Sequence, residues 1–151
     1  MAEGVTVREG RAEDTQALTT LLAQLFAIEA DFAIDPAVQT RGLRLLGTRP
    51  DAVILVAEAE GRVVGMCTVQ LTASTARGGL SAGIEDVVVD QVWRGRGVGR
   101  ALLVAAEAWA RGRGAVRLAL LADETNLPAL DFYDRLGFAR TRLVWLAKAL
   151  D

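Results

Sequence analysis

Residues 94–100, Arg-Gly-Arg-Gly-Val-Gly-Arg, place glycine at three alternate positions, Gly95, Gly97 and Gly99. Positions without side chains leave backbone N–H groups open to an approaching ligand. An amphipathic helix opens at Val98 and aims its positive dipole end at the same place, so the stretch reads as an anion-binding turn suited to a phosphate-bearing cofactor. It lacks the Lys-Ser/Thr ending of a P-loop, and its glycines are too close together for the G-x-G-x-x-G dinucleotide fingerprint. Just upstream, Glu85 and Asp86 precede the apolar run Val87, Val88 and Val89. Strand alternation puts Glu85, Val87 and Val89 on one face and Ile84, Asp86 and Val88 on the other, so one of the two carboxylates must face the interior or a cleft. A carboxyl among apolar neighbours has its pKa raised when partly buried, which brings it nearer to the working range of a base. Tyr133, the only tyrosine, shares a helix face with Asn126 and with Ala129 or Leu130 between them. Its phenol, with an ordinary pKa of about 10, keeps its proton near neutrality.

Other chemistries are excluded by composition. The chain has no histidine, which removes Ser-His-Asp and Cys-His catalysis and any histidine-based metal site, and no metal is expected. Cys67 is the only cysteine; its apolar surroundings favour an inert buried thiol, and no disulfide framework exists. Seventeen basic and nineteen acidic residues give a net charge of −2, so no overall field draws the chain toward nucleic acid or an anionic membrane. The arginines beside the glycines are therefore local phosphate partners, Arg94, Arg96 and Arg100. Arg-Gly-Arg-Gly recurs at residues 94–97 and 111–114, without the aromatic interleaving of a nucleic-acid surface. Neither a secretory leader nor a membrane-spanning run is visible, and a soluble cytoplasmic protein is expected.

The elements that must position these groups follow from hydrophobic period. Val5 and Val7 mark a short first strand. Leu18, Leu21, Leu22, Leu25 and Phe26 predict a helix of about 15 residues beginning at Glu13 or Asp14. Glu29 to Pro36 reads as a loop whose acids surround Phe32 and Ile34, and a second helix runs from Ala37 to Leu46. Residues 53–57 and 62–71 form a hairpin reversed at Gly61. A third strand covers residues 81–89, and the helix after the glycine turn carries Leu102, Leu103, Ala106, Trp109 and Ala110 on its apolar face. Residues 116–121 return by a crossover as a strand parallel to residues 81–89. The last helix starts near Asn126, tolerates Pro128 in its first turn and stops at Gly137. Strands are expected from Phe138 onward, with Leu143, Trp145 and Ala147 on one face. At 151 residues a single domain covering residues 1–151 is expected.

Arg94-x-x-Gly97-x-Gly99 after Glu-Asp-Val-Val-Val, followed by Asn126-x-x-Ala129-x-x-Phe132-Tyr133-x-x-x-Gly137-Phe138, resembles the two cofactor motifs of the GCN5-related N-acetyltransferases. The residue-level likeness is confined to the C-terminal half. It implies a mixed α/β fold: a twisted, mostly antiparallel sheet with a central splayed parallel pair and helices on both faces. It further implies acetyl-CoA, with its pyrophosphate on the Gly95 to Arg100 turn, Val98 included, and its pantetheine arm along Val87, Val88 and Val89. In the family the tyrosine of the second motif points at the CoA sulfur in many members, which makes Tyr133 the candidate acid, while Asn126 and Ala129 belong to the cofactor side.

Glu85 is the candidate base, directly or through water, although a strand carboxylate serves equally well as an ion-paired structural residue. The Ile-Glu-Asp opening is similar to that of glucosamine-phosphate acetyltransferases, and the spacing is similar to that of diamine acetyltransferases. The early helix-loop-helix lines the acceptor side in that family, which nominates Glu29, Asp31, Asp35 and Phe32, with Asp86, for substrate binding. Transfer of acetyl to a primary amine of polyamine or amino-sugar type follows, by direct attack because neither motif holds a thiol or serine nucleophile. A peptide N-terminus as acceptor and a non-catalytic acyl-CoA-binding module are the alternatives. A homodimer through the C-terminal strands would suit an exposed Trp145, and a monomer would suit a buried one.

Overall fold

The computed structural model describes residues 2–150, which fall into two compact units parting between Leu120 and Leu121. The first unit holds a five-stranded sheet in the order β1 (Val5–Glu9), β2 (Ala52–Ala59), β3 (Arg62–Ser74), β4 (Gly79–Val89) and β5 (Ala115–Leu120). The first four strands pair antiparallel and β4 pairs parallel with β5, the mixed topology that a helical crossover requires. Three helices, α1 (Thr15–Ile28), α2 (Pro36–Thr48) and α3 (Val98–Gly112), belong to the same unit.

Neighbouring residues on β3 show how both faces are covered. A Cβ added at Gly65 would lie 3.1 Å from Leu102 and from Val98 of α3. Met66, one residue on, clusters instead with Leu18, Leu21 and Leu22 of α1 and Leu43 of α2. Side chains alternate across a strand, so the two sets of helices cover opposite faces. The apolar stripes produce this directly: Leu18, Leu21 and Leu22 are buried on α1, and Val98, Leu102, Leu103, Ala106 and Ala110 on α3. Trp109, read from the sequence as part of that stripe, is half-buried, with Arg113 lying 4.8 Å over its ring. The β2–β3 reversal is a two-residue turn, Glu60 and Gly61, with φ +52° and +72°. Two positive φ values match the twist of the flanking strands.

The second unit contains α4 (Leu127–Arg135). Asn126 caps it by accepting from the Ala129 amide at 3.2 Å, and Pro128 sits in the first turn where no N–H is missed. At the other end Gly137 takes φ +92°, the Phe138 amide donates to the Tyr133 carbonyl at 3.0 Å and the Gly137 amide to that of Asp134 at 2.9 Å. That pair of bonds is a Schellman ending.

Two expectations are corrected. The Glu13–Asp14 start is a separate 3-10 turn, Ala12–Asp14, because the Asp14 carboxylate is held by Arg8 at 2.8 Å and by the Arg11 amide at 2.7 Å. Beyond Phe138 no strand forms among the described residues. Alternating apolar residues make a strand only where a neighbouring edge takes up their backbone groups; residues 139–150 have no ladder partner, and Leu143 and Leu146 are 88% and 86% exposed.

The Arg8 guanidinium bridges Asp14 and Glu58, at 2.8 and 2.7 Å, and so ties β1, β2 and the start of α1. Arg8 holds the Asp14 carboxyl below the usual carboxylate range. Arg8→Ala strands a buried carboxylate, and we expect urea unfolding at neutral pH to show a loss of about 3 kcal/mol. The stabilisation from Asp14 is present above the ordinary carboxylate range and is lost as pH falls through its lowered pKa, so the gap between wild type and variant narrows in acid.

Candidate functional site

Strand β4 is paired unequally along its length. On the β5 side the ladder ends at Ile84↔Leu120, leaving that edge from Glu85 to Val89 without a strand neighbour among the described residues. On the β3 side the register runs Thr68↔Glu85 and then Met66↔Val88, so Asp86 and Val87 stand opposite Cys67 alone. Two residues against one is a β-bulge. Asp86 absorbs it with φ +53°, a left-handed conformation that aspartate adopts more readily than most residues.

The bulge corrects the strict alternation read from the sequence: Glu85 and Asp86 both line one cleft of about 520 Å³. Phe32 joins them there, its ring tilted at 46° to that of Phe26 with centroids 5.4 Å apart, and Asp35, Gln39, Thr68 and Gln70 supply further polar lining. Glu29, at the C-terminal end of α1, lies near enough for its charge to act on Asp86. Asp31 is exposed and does not line the cleft. Burial first, then the charges of Glu85 and Glu29, push Asp86 up to about 6, against a hydrogen bond from Thr68 that pulls the other way. Asp86 is half-buried, whereas Glu85 is exposed.

Residues 87–100 form one continuous strand, turn and helix. Gly95 and Gly97 take φ +75° and +82°, and nothing lies within 4 Å of where a Cβ would stand on Gly95. α3 has no side-chain cap, and its first internal bond runs from the Ala101 amide to the Gly97 carbonyl at 3.1 Å. The amides of Val98, Gly99 and Arg100 therefore precede the helical ladder and point out of its end. Val98 itself is buried, so its side chain belongs to the core and only its backbone is available. Arg94 donates to the Val89 carbonyl at 3.0 Å, Arg96 lies 4.7 Å over Trp93, and Arg100 is exposed on the first turn of α3. An open strand edge leading into uncapped amides, with three arginines on the same turn, suits a ligand that has an amide-bearing arm and a pyrophosphate.

In the second unit, Asn126 and Ala129 are joined by the helix cap, and the Tyr133 ring packs edge-on to Phe132 at 5.2 Å and Phe138 at 5.9 Å. Cys67 is fully buried and its thiol is pushed up to about 12 by burial and by the charge of Asp86. Asp35, one of the acids nominated from the sequence, lines the cleft and also caps α2 by accepting from the Ala37 and Val38 amides at 3.1 and 3.3 Å, a role that the Asp-Pro pair signals. Other contributors lie outside the nominated residues, among them Thr68, 1% exposed, which donates to the Glu85 carbonyl at 3.2 Å, and the Val38, Leu45 and Leu46 wall of α2. Among the described residues no group of acidic or cysteine side chains could hold a metal ion, and no helix is long and apolar enough to cross a membrane.

The model of the acetyltransferase (GNAT) family matches residues 15–138. The aminoglycoside N(6')-acetyltransferase type 1 of Stenotrophomonas maltophilia is 30% identical over 155 aligned positions, covering 100% of this chain and 97% of that one. The glucosamine 6-phosphate N-acetyltransferase of Trypanosoma brucei brucei is 40% identical over 79 residues, and the match spans about half of each chain, 52%. The crystal structure of a transcriptional regulator from Bacillus halodurans C-125 superposes with a TM-score of 0.84 at 27% identity, over 97% of this chain and 99% of that one.

Because the folded state holds a proton on Asp86 up to about pH 6 and the unfolded chain releases it near the ordinary carboxylate value, this residue's contribution to stability falls as pH rises between those two values. Asp86→Asn keeps a side chain that tolerates positive φ and removes the titration. We expect the variant to be more stable than wild type at pH 7 by about 2 kcal/mol and to lose that advantage below about pH 4, as read by thermal unfolding across pH.

Proposed function

The chain belongs to the acetyltransferase (GNAT) family and is an N-acetyltransferase, and from that premise we propose that it moves the acetyl group of acetyl-CoA onto the primary amine of a small cationic molecule. Residues 1–151 act as one catalytic domain in this reading, supported by a family match that runs through both units. The observation that carries it is the cleft floor, where the bulge sets Glu85 and Asp86 side by side with Glu29 near them. Clustered carboxylates in an apolar-walled cleft attract an ammonium group and orient it. A volume of about 520 Å³ suits a small molecule. Both named relatives above act, by their names, on small-molecule amines, an amino-sugar phosphate in one case and an aminoglycoside in the other.

Acetyl-CoA, when bound, supplies an activated acetyl thioester. The open edge of β4 from Val87 to Val89 and the amides of residues 97–100 would hold it, with Arg94, Arg96 and Arg100 beside the pyrophosphate, and Asn126 and Ala129 on the arm. An ammonium must lose a proton before its nitrogen can attack. Asp86, raised toward 6 yet mostly ionised at neutral pH, anchors the cation, and exposed Glu85 accepts the proton and passes it to water. The Tyr133 phenol holds a transferable proton for the other side of the reaction. No covalent acetyl-enzyme is needed: Cys67, the only thiol, is buried and protonated.

Free-thiol release from acetyl-CoA should depend on added primary amine, with cationic small molecules ahead of peptides. Tyr133→Phe should lower kcat by about 100-fold with little change in the KM for amine. Release that no amine accelerates would sink the proposal; release confined to peptide N-termini would replace its acceptor.

A further inference from the structure

The acceptor cleft has two chemically different sides. Glu85 and Asp86 stand on the sheet, whereas α2 and the loop before it present Phe32, Val38 and Leu45 with 39%, 45% and 63% of their surface exposed. Single exposed apolar side chains are ordinary; three around one cavity make a patch that a ligand can cover. Leu22 and Phe26 continue the same apolar lining inward.

The polar side chains on the helical side are already engaged. Gln39 accepts from the Asp35 amide at 2.8 Å and donates to the Ala33 carbonyl at 3.2 Å, using both ends of its amide. Asp35 accepts from two α2 amides through Oδ1, its charge set against the N-terminal end of α2, and Arg49 closes both arms of its fork on Asp51 at 3.0 Å. A hydroxyl-rich acceptor laid along this wall would lose water from its O–H groups and find few partners, at a cost for each. An alkyl or aromatic group in the same place loses nothing polar and covers apolar surface.

We infer that the preferred acceptor is an amphipathic primary amine, with its ammonium at Glu85 and Asp86 and an alkyl or aralkyl body lying along Phe32, Val38 and Leu45. The inference rests on the reading of this cleft as the amine site and narrows it, away from hydrophilic polyamines and amino sugars. The charge asymmetry fixes the orientation, because the body would gain nothing at the carboxylates and the head would be stranded among leucines.

The test is calorimetric titration of the purified protein with linear primary amines from ethylamine to octylamine, with phenethylamine, spermidine and glucosamine for comparison, alongside thiol release with the same compounds. Affinity should rise by about two- to fourfold for each added methylene until the cleft is filled, with a negative heat-capacity change, and phenethylamine should bind more tightly than glucosamine. Leu45→Asp, on an exposed position of α2, should flatten the dependence on chain length while its thermal unfolding stays that of wild type. A flat wild-type series, or spermidine and glucosamine as the tightest ligands, would overturn the inference. The two readings fail separately: length-dependent binding without amine-dependent thiol release removes acetyl transfer from this cleft and keeps its ligand class, whereas thiol release indifferent to chain length does the reverse.

Discussion

Backbone hydrogen bonding along β4 is satisfied on both edges only as far as Ile84. Past that point β5 has ended, and the β3 ladder skips Asp86 and Val87. Peptide groups in a sheet interior normally have strand partners on either side, so a stretch released from both ladders is open to bonds with something else. The glycine turn continues the same backbone into the uncapped end of α3. An edge and a helix terminus thus make one polar track without any specialised side chain. The rest of the first unit holds that track in place: α3 packs Val98 and Leu102 onto Gly65, where an added Cβ would lie 3.1 Å from both and force them to shift, and Gln24 of α1 accepts from the Gln91 amide at 3.1 Å just before the turn.

The same bulge decides the electrostatics of the cleft. Two adjacent carboxylates on a regular strand would face opposite ways, and one would have to be ion-paired in the core or exposed on the far face. Brought to one side, the half-buried member is pushed up to about 6, first by its burial and then by repulsion from Glu85 and Glu29. Grouping like charges costs stability, and a left-handed aspartate adds about 1 kcal/mol of backbone strain. Such costs persist where surrounding packing over-determines the conformation; here Met66 and Val88 on either side of the bulge are anchored in the cluster with Leu18 and Leu21. Arg8 with Asp14 and Glu58 shows the opposite arrangement, in which every buried charge has a partner and the carboxyl is held low.

Much of this was legible along the chain. The glycine turn, the stripes of α1 and α3, the crossover to β5 and both ends of α4 are local features, written in residue types whose preferences act over three or four positions. Cys67 was legible as inert because apolar neighbours bury a thiol wherever the strand packs. The acids between Glu29 and Asp35 were visible as a group, but their separate fates were not: Asp35 caps α2, Glu29 bears on Asp86, and Asp31 stays in solvent. Alternation in Leu143, Trp145 and Ala147 signalled a strand, and no ladder takes up that backbone among the described residues.

The sequence by itself determined the family, the order of elements from β1 to α4 and the glycine turn that opens α3, because each depends on interactions between residues close in the chain. Tertiary structure decided that Glu85 and Asp86 share a cleft, since a bulge exists only in the register between two strands and Thr68↔Glu85 and Met66↔Val88 are pairings of residues 17 and 22 positions apart. It also decided that an apolar wall from α2 faces those carboxylates. Helix periodicity shows that a stripe exists, but only packing fixes what lies across from it.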